Sequence, residues 1–162
     1  MDESEEWFEA TVDDSGVCTW SGIDAPVQWA SVAEVANQYW SDSVFRRAKS
    51  SYGPAQEFVA SLTSTGSDSA IDAIQALVDA AVSDDELDFI GAGPLEDLLA
   101  HGGHGAKFVD EIERRARQQP RFRQAVAGLW LSADVPENIR SRLAALGAKP
   151  AAAPASKRSR TR

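Results

Sequence analysis

His101 and His104 are the two histidines of this sequence, and with Glu96 or Asp97 just upstream they are the side chains that would suit a zinc ion. A metal centre needs ligands held on rigid elements. These two histidines sit in His101-Gly102-Gly103-His104-Gly105, among glycines and far from any cysteine, so they read as exposed loop histidines and no metal is assigned. Gly91-Ala92-Gly93-Pro94 leads into a helical segment and has the outline of a phosphate-cradling turn, because glycines bring backbone N–H groups close and a helix start favours anions. The sequence offers no Gly-Lys-Ser or Gly-Lys-Thr and no third glycine after a strand, and Glu96 and Asp97 occupy the helix start instead. Those acids already complement the helix dipole, so the turn reads as architecture.

Arg114, Arg115, Arg117, Arg121 and Arg123 form the densest basic run that could meet a phosphate backbone. Asp110, Glu111 and Glu113 stand four residues before Arg114, Arg115 and Arg117, however, which is the spacing of intrahelical ion pairs. Nucleic acid is therefore not the expected partner of the folded part. No serine lies in a nucleophile elbow, and the single Cys18 has no signature of activation and reads as a buried thiol. The sequence assigns no catalytic residue and no cofactor.

Charge is divided unevenly along the chain. Residues 1–100 hold 20 acids against 3 bases, and residues 101–162 hold 5 against 13, which together give the net −9. An acidic field of this kind steers basic partners. One cysteine requires no oxidising compartment, the acidic first residues are unlike a signal peptide, and no apolar run is long enough to span a membrane, so a soluble cytoplasmic protein is expected.

The elements that position these residues are mostly helical. Thr11-Val12 and Val17 to Trp20 flank the turn-rich Asp13-Asp14-Ser15-Gly16 and suggest a small N-terminal β-hairpin that must pack on helices to be stable. Ser31 and Glu34 make a capping box for a helix running toward Trp40, and Gly53-Pro54 opens a second helix carrying Phe58, Val59 and Leu62. Ala70, Ile74, Leu77, Val78 and Ala81 recur at helical steps, with Ser69 and Asp72 resembling a capping box, and Ser83 to Glu86 is another start signal, ahead of Leu87, Phe89 and Ile90. Gly91 and Gly93 then read as a tight helix-to-helix corner with Pro94 opening the next turn, and Leu95, Leu98 and Leu99 as burying against the helix of Ser69 to Val82. Phe108, Val109, Ile112 and Ala116 face one way; Phe122, Val126, Leu129 and Trp130 form the next stripe; Pro136 opens a last helix that Gly147 closes.

The pattern is mainly all-α, an irregular helical bundle or a short stack of helical hairpins. One helical domain is expected over residues 11–147, between an acidic arm at 1–10 and a disordered basic Ala/Pro tail at 148–162. The tail's Lys149, Lys157, Arg158, Arg160 and Arg162 are expected to associate loosely with the acidic body.

From Asp85 to Trp130, and above all in Gly-Ala-Gly-Pro-Leu-Glu-Asp-Leu-Leu, the chain resembles a family of uncharacterised bacterial proteins, a domain of unknown function. The resemblance implies a helical domain and a bacterial origin and carries over no catalytic residue. The acidic first hundred residues and the absence of any catalytic constellation point to a non-enzymatic domain that binds another protein, or more narrowly to an immunity-like inhibitor of a basic toxin or nuclease. The rival is an enzyme or ligand-binding protein whose site surrounds residues 91–104, with Gly91, Gly93, Pro94, Glu96, Asp97, His101 and His104 at its centre.

Overall fold

The computed structural model describes residues 8–48, 52–100 and 103–150. It begins with a three-stranded antiparallel sheet of β1 (Glu9–Val12), β2 (Cys18–Ser21) and β3 (Val27–Trp29). The expected turn joins the first two strands: the Asp13 carboxylate accepts from the N–H groups of Ser15 at 2.9 Å and Val17 at 3.0 Å, and Gly16 takes φ +87°. Pairing puts Ala10 opposite Trp20 and Cys18 opposite Trp29. The third strand, which the sequence does not announce, turns Trp29 inward beside Trp20 and Cys18.

Helices follow in the expected order: α1 (Val32–Ser41), α2 (Pro54–Thr65), α3 (Ala70–Ala80), α4 (Asp84–Ile90), α5 (Glu96–Ala100), α6 (Gly105–Gln118), α7 (Pro120–Ala127) and α8 (Glu137–Ala144). Local capping explains several starts. At α1 the Ser31 hydroxyl accepts from the Glu34 N–H at 3.3 Å, while Glu34 accepts from the Ala30 N–H at 2.9 Å. At α4, Ser83 accepts from Glu86 at 3.2 Å and Glu86 from the Val82 N–H at 2.6 Å. Ser69 makes no such bond; Asp72 instead receives Arg115 of α6 at 2.7 Å.

The corner expected at Gly91 to Pro94 does not form. Residues Gly91–Leu95 are a π-helical turn that carries α4 without a break into α5, so Pro94 lies inside a helix and not at its start. Proline cannot donate to the carbonyl four residues back, and the wider π turn is a common way to accommodate such a defect. Gly91 is needed for a different reason. It has helical φ of −63°, and a Cβ there would lie 2.5 Å from the Gly128 carbonyl carbon and 2.6 Å from the Leu129 nitrogen, and nearer still to the Ala125 oxygen. Gly128 answers from the other side, where a Cβ would stand 2.6 Å from the Asp88 oxygen. The two glycines let α4 and the end of α7 touch backbone to backbone.

Packing partners are often distant in sequence: α1 lies chiefly against α3, and α4 against α7. This is an irregular bundle and not a stack of successive hairpins. Leu95, Leu98 and Leu99 are buried as expected, but α5 packs on α2 and α6, not mainly on α3. The core is continuous from Cys18, Trp20 and Trp29 through Trp40, Phe58 and Ile74 to Phe122 and Leu143. Two boundaries shift. Glu9 and Ala10 belong to β1, and Met1 to Trp7 lie outside the described residues. Ala148 is buried, and β5 (Lys149–Pro150) pairs in parallel with β4 (Trp130–Leu131), while residues 151–162 also lie outside. None of the described helices is long and apolar enough to cross a membrane.

Candidate functional site

The side chains that the sequence marks for chemistry are mostly engaged in holding the fold. His104 precedes α6, with its Nε2 3.0 Å from the Ser64 carbonyl, and its ring fills the space beside Gly66, which closes α2 at φ +64°. Lys107 adds a 2.7 Å bond to the Gly66 carbonyl and a 2.6 Å pair with Asp68. Together they satisfy the open carbonyls at the end of α2, where a cation is also favoured by the helix dipole. His101 lies outside the described residues. Among the described residues no three His, Cys, Asp or Glu side chains gather closely enough to hold a metal ion.

The basic run is largely neutralised. Arg115 binds Glu111 at 2.6 Å and Asp72 at 2.7 Å, Arg117 binds Glu113 at 2.9 Å, and Arg121 donates to the carbonyls of Asp79 and Ala81. The Asp110–Arg114 pair expected from spacing is absent: Arg114 turns to Glu111, and Asp110 and Glu113 receive Arg142 of α8. Cys18 is fully buried, and loss of solvation, with a smaller push from Asp13, raises its thiol to about 11, far from a reactive thiolate.

A different region collects unspent surface. Val44 and Phe45 in the turn after α1, Tyr52 before α2 and Phe89 on α4 are 60%, 41%, 71% and 41% exposed, although all are large and apolar or aromatic. They surround one hollow of about 270 Å³, completed by Tyr39, Asp42, Ser43 and Gln56. Phe45 meets Phe89 edge-on at 5.4 Å between ring centres, and both rest against buried Trp40 at 6.2 and 6.4 Å. Trp40 is fixed by its indole N–H on the Leu77 carbonyl at 3.0 Å. Tyr52 continues the wall into a second hollow of about 490 Å³ lined by Phe8, Trp20, Glu57, Ser64 and Asp97. Gly93, Pro94 and Asp97 lie where the two meet, in a smaller hollow of about 140 Å³ that again includes Tyr39, Tyr52 and Phe89.

The carboxylates that line the groove these hollows form are Asp42, Glu57 and Asp97, and the elements behind them add Asp84, Asp85, buried Glu86, Asp88 and Glu96 against Arg46 and Arg47 among the described residues. Both arginines are occupied within the fold: Arg46 lies 5.9 Å over Trp40 and binds buried Glu86 at 2.9 Å, and Arg47 pairs with Asp42 at 3.4 Å. Asp42 also accepts from Gln38 at 2.7 Å, and Glu57 accepts the Trp20 indole N–H at 2.9 Å. No described base faces Glu57. Burial first, and then the charges of Glu57 and Asp97, hold the Tyr52 phenol above its ordinary range; burial, Tyr52 and Asp97 do the same for Tyr39.

Of the residues singled out from sequence, the groove therefore uses Gly93, Pro94 and Asp97, whereas Gly91 and His104 serve helix packing. Sequence reasoning missed Phe45, Tyr52 and Phe89. One signal was present: Phe89 falls between the buried Leu87 and Ile90, off the apolar stripe of α4.

No curated protein and no solved structure matches the chain. A family described as one of unknown function (DUF6869) matches residues 42–151, a span wider than the Asp85 to Trp130 stretch, running from the turn that bears Phe45 to just beyond β5. With two thirds of its length inside that match, the chain belongs to this family of unknown function.

Proposed function

We propose that the chain is a non-enzymatic domain that binds another protein, and that the groove walled by Phe45, Tyr52 and Phe89 is where it does so. The observation that carries this reading is the clustering of four exposed apolar or aromatic side chains around one hollow. Contiguous exposed apolar surface marks interaction sites on folded domains, and Tyr and Phe are enriched at the centres of interfaces. The supports behind the rings, Trp40 on Leu77 and the Arg46–Glu86 pair, hold the wall in place before any partner arrives.

A narrower form of the reading favours a basic partner, as for an inhibitor whose carboxylates occlude the nucleic-acid channel of a toxin or nuclease. The excess of acids on the groove elements supports it. A bacterial, cytoplasmic setting suits the lone, buried Cys18. The test is co-purification from the native host with Tyr52→Ala and Phe89→Ala variants. Loss of the same partner from both variants, at unchanged melting temperature, is the expected result. Retention of every partner by both would overturn the assignment of the groove, and turnover of a small molecule that responds to Asp97→Asn would replace it with the enzymatic reading.

A further inference from the structure

The groove combines features that specify what should enter it. Its hollow of about 270 Å³ is open on one side and walled by four rings, those of Tyr39, Phe45, Tyr52 and Phe89. Such a wall accepts either an apolar side chain or a cation, since the face of an aromatic ring is electronegative. The surroundings discriminate. Among the described residues both bases on the elements that build the groove are already paired, Arg47 with Asp42, the one carboxylate of this hollow, while Glu57 and Asp97 line the adjoining hollow beyond Tyr52 and Asp85 stands one helical turn before Phe89 on α4. An acidic side chain entering this field would be repelled, and a purely apolar one would gain nothing from it.

The chain itself shows what the same environment does with a cation. Arg46 lays its guanidinium 5.9 Å over Trp40, on the cluster that also holds Phe45 and Phe89, and closes the contact with a carboxylate at 2.9 Å. A guanidinium is planar, stacks on rings and is weakly hydrated, so it enters an aromatic wall at lower desolvation cost than an ammonium group.

Resting on the reading of the groove as a protein-binding surface, we infer that its occupant is an extended, basic segment of a partner protein that inserts an arginine side chain between Tyr52 and the Phe45–Phe89 pair. The segment's flanking residues then lie along the Tyr52 wall toward Trp20 and Glu57.

The experiment uses the full chain and three synthetic pentapeptides, Gly-Leu-X-Leu-Gly with capped ends, in which X is arginine, lysine or the uncharged isostere citrulline. Aromatic NMR resonances of Phe45, Tyr52 and Phe89 report binding, with Glu137→Gln on exposed α8 as a control variant. The arginine peptide should shift all three rings, bind about tenfold more tightly than the citrulline peptide, as expected for a desolvated cation–π contact, and weaken as salt rises. Tyr52→Ala should lose about tenfold and Glu137→Gln nothing. Equal binding of arginine and citrulline peptides would overturn the cation inference and leave the protein-binding reading standing. No ring shift with any peptide would also overturn it, and only the co-purification result would then speak to the broader reading. Ring shifts that appear only after removal of residues 151–162 would assign the groove to the chain's own basic end, again overturning a partner segment as the occupant.

Discussion

Replacing Gly91 with alanine is the sharpest test of how the helices are held together. The residue is helical, with φ of −63°, so alanine introduces no backbone strain and by propensity alone would stabilise the helix by about 1 kcal/mol. The added Cβ, however, would stand 2.5 Å from the Gly128 carbonyl carbon and 2.6 Å from the Leu129 nitrogen, where ordinary contact begins near 3.4 Å. The obstructing atoms are backbone, so no rotamer change relieves them, and α4 must part from the end of α7 by about 0.9 Å or more. Opening a packed interface this way falls at or above the upper end of the overpacking range, about 3 kcal/mol, because α4 and α7 pack on each other and carry the fully buried Ile90, Phe122 and Val126. Net destabilisation is about 2 kcal/mol, or about 4–8 °C in melting temperature for a chain of this size. Gly93→Ala is the internal control: its nearest neighbour would be the Phe89 ring at 3.8 Å, so only the propensity gain of up to about 1 kcal/mol remains. Urea unfolding followed by circular dichroism measures both. Effects of the same sign and size would show that the backbone contact between α4 and α7 is not what Gly91 provides.

Three further outcomes follow from the same packing. Leu98→Ala, at a fully buried position where α5 meets α2 and α6, should cost about 2–5 kcal/mol in urea unfolding; less than about 1 kcal/mol would place the side chain at the surface. His104→Ala removes the ring that covers Gly66 and the bond to Ser64, and should lower stability by about 1–2 kcal/mol; an unchanged melting temperature with lost ligand binding would return His104 to a functional role. In acid, the hydrogen bonds of Arg114 and Arg115 hold Glu111 at about 2, and although burial alone would raise Glu86, its bonds from Arg46 and Val82 hold it below the ordinary value. Both folded values lie below the unfolded ones, so the unfolded chain binds more protons and stability present above about pH 4.5 is lost as pH falls toward 2. Thermal melts of the protein and of Glu111→Gln across that window should converge at the acid end; parallel curves would contradict the linkage.

What the sequence disclosed was what neighbours along the chain decide. The Ser31 and Ser83 hydroxyl caps and the turn at Asp13 to Gly16 close within four residues and are found where their spacing placed them, while the Glu34 and Glu86 carboxylates reach back one residue beyond the capping serine, to the N–H groups of Ala30 and Val82. Ser69 and Asp72 have the same spacing but no cap, because Ser69 takes helical φ −80° and ψ −7° and not the extended backbone of a capping residue, and Asp72 turns to Arg115, 43 residues away. Gly91 and Gly93 look alike in the sequence; only the approach of α7 separates a glycine that is required from one that is not. Trp130 falls on an apolar stripe yet is 47% exposed, lying under Lys149 at 5.3 Å. The groove was least legible. Phe45, Tyr52 and Phe89 come from a turn, a helix approach and a helix flank, and only packing on Trp40 and α2 brings them to one wall.

The claim that this wall receives another protein is tested most directly by a photo-cross-linking amino acid placed at Tyr52 and, separately, at exposed Arg123 on α7, with irradiation in the native host. A discrete adduct of one protein from position 52, lost when Phe89→Ala is added and absent from position 123, is the expected result. Adducts from position 123 alone, or an adduct from position 52 that is indifferent to Phe89, would contradict it.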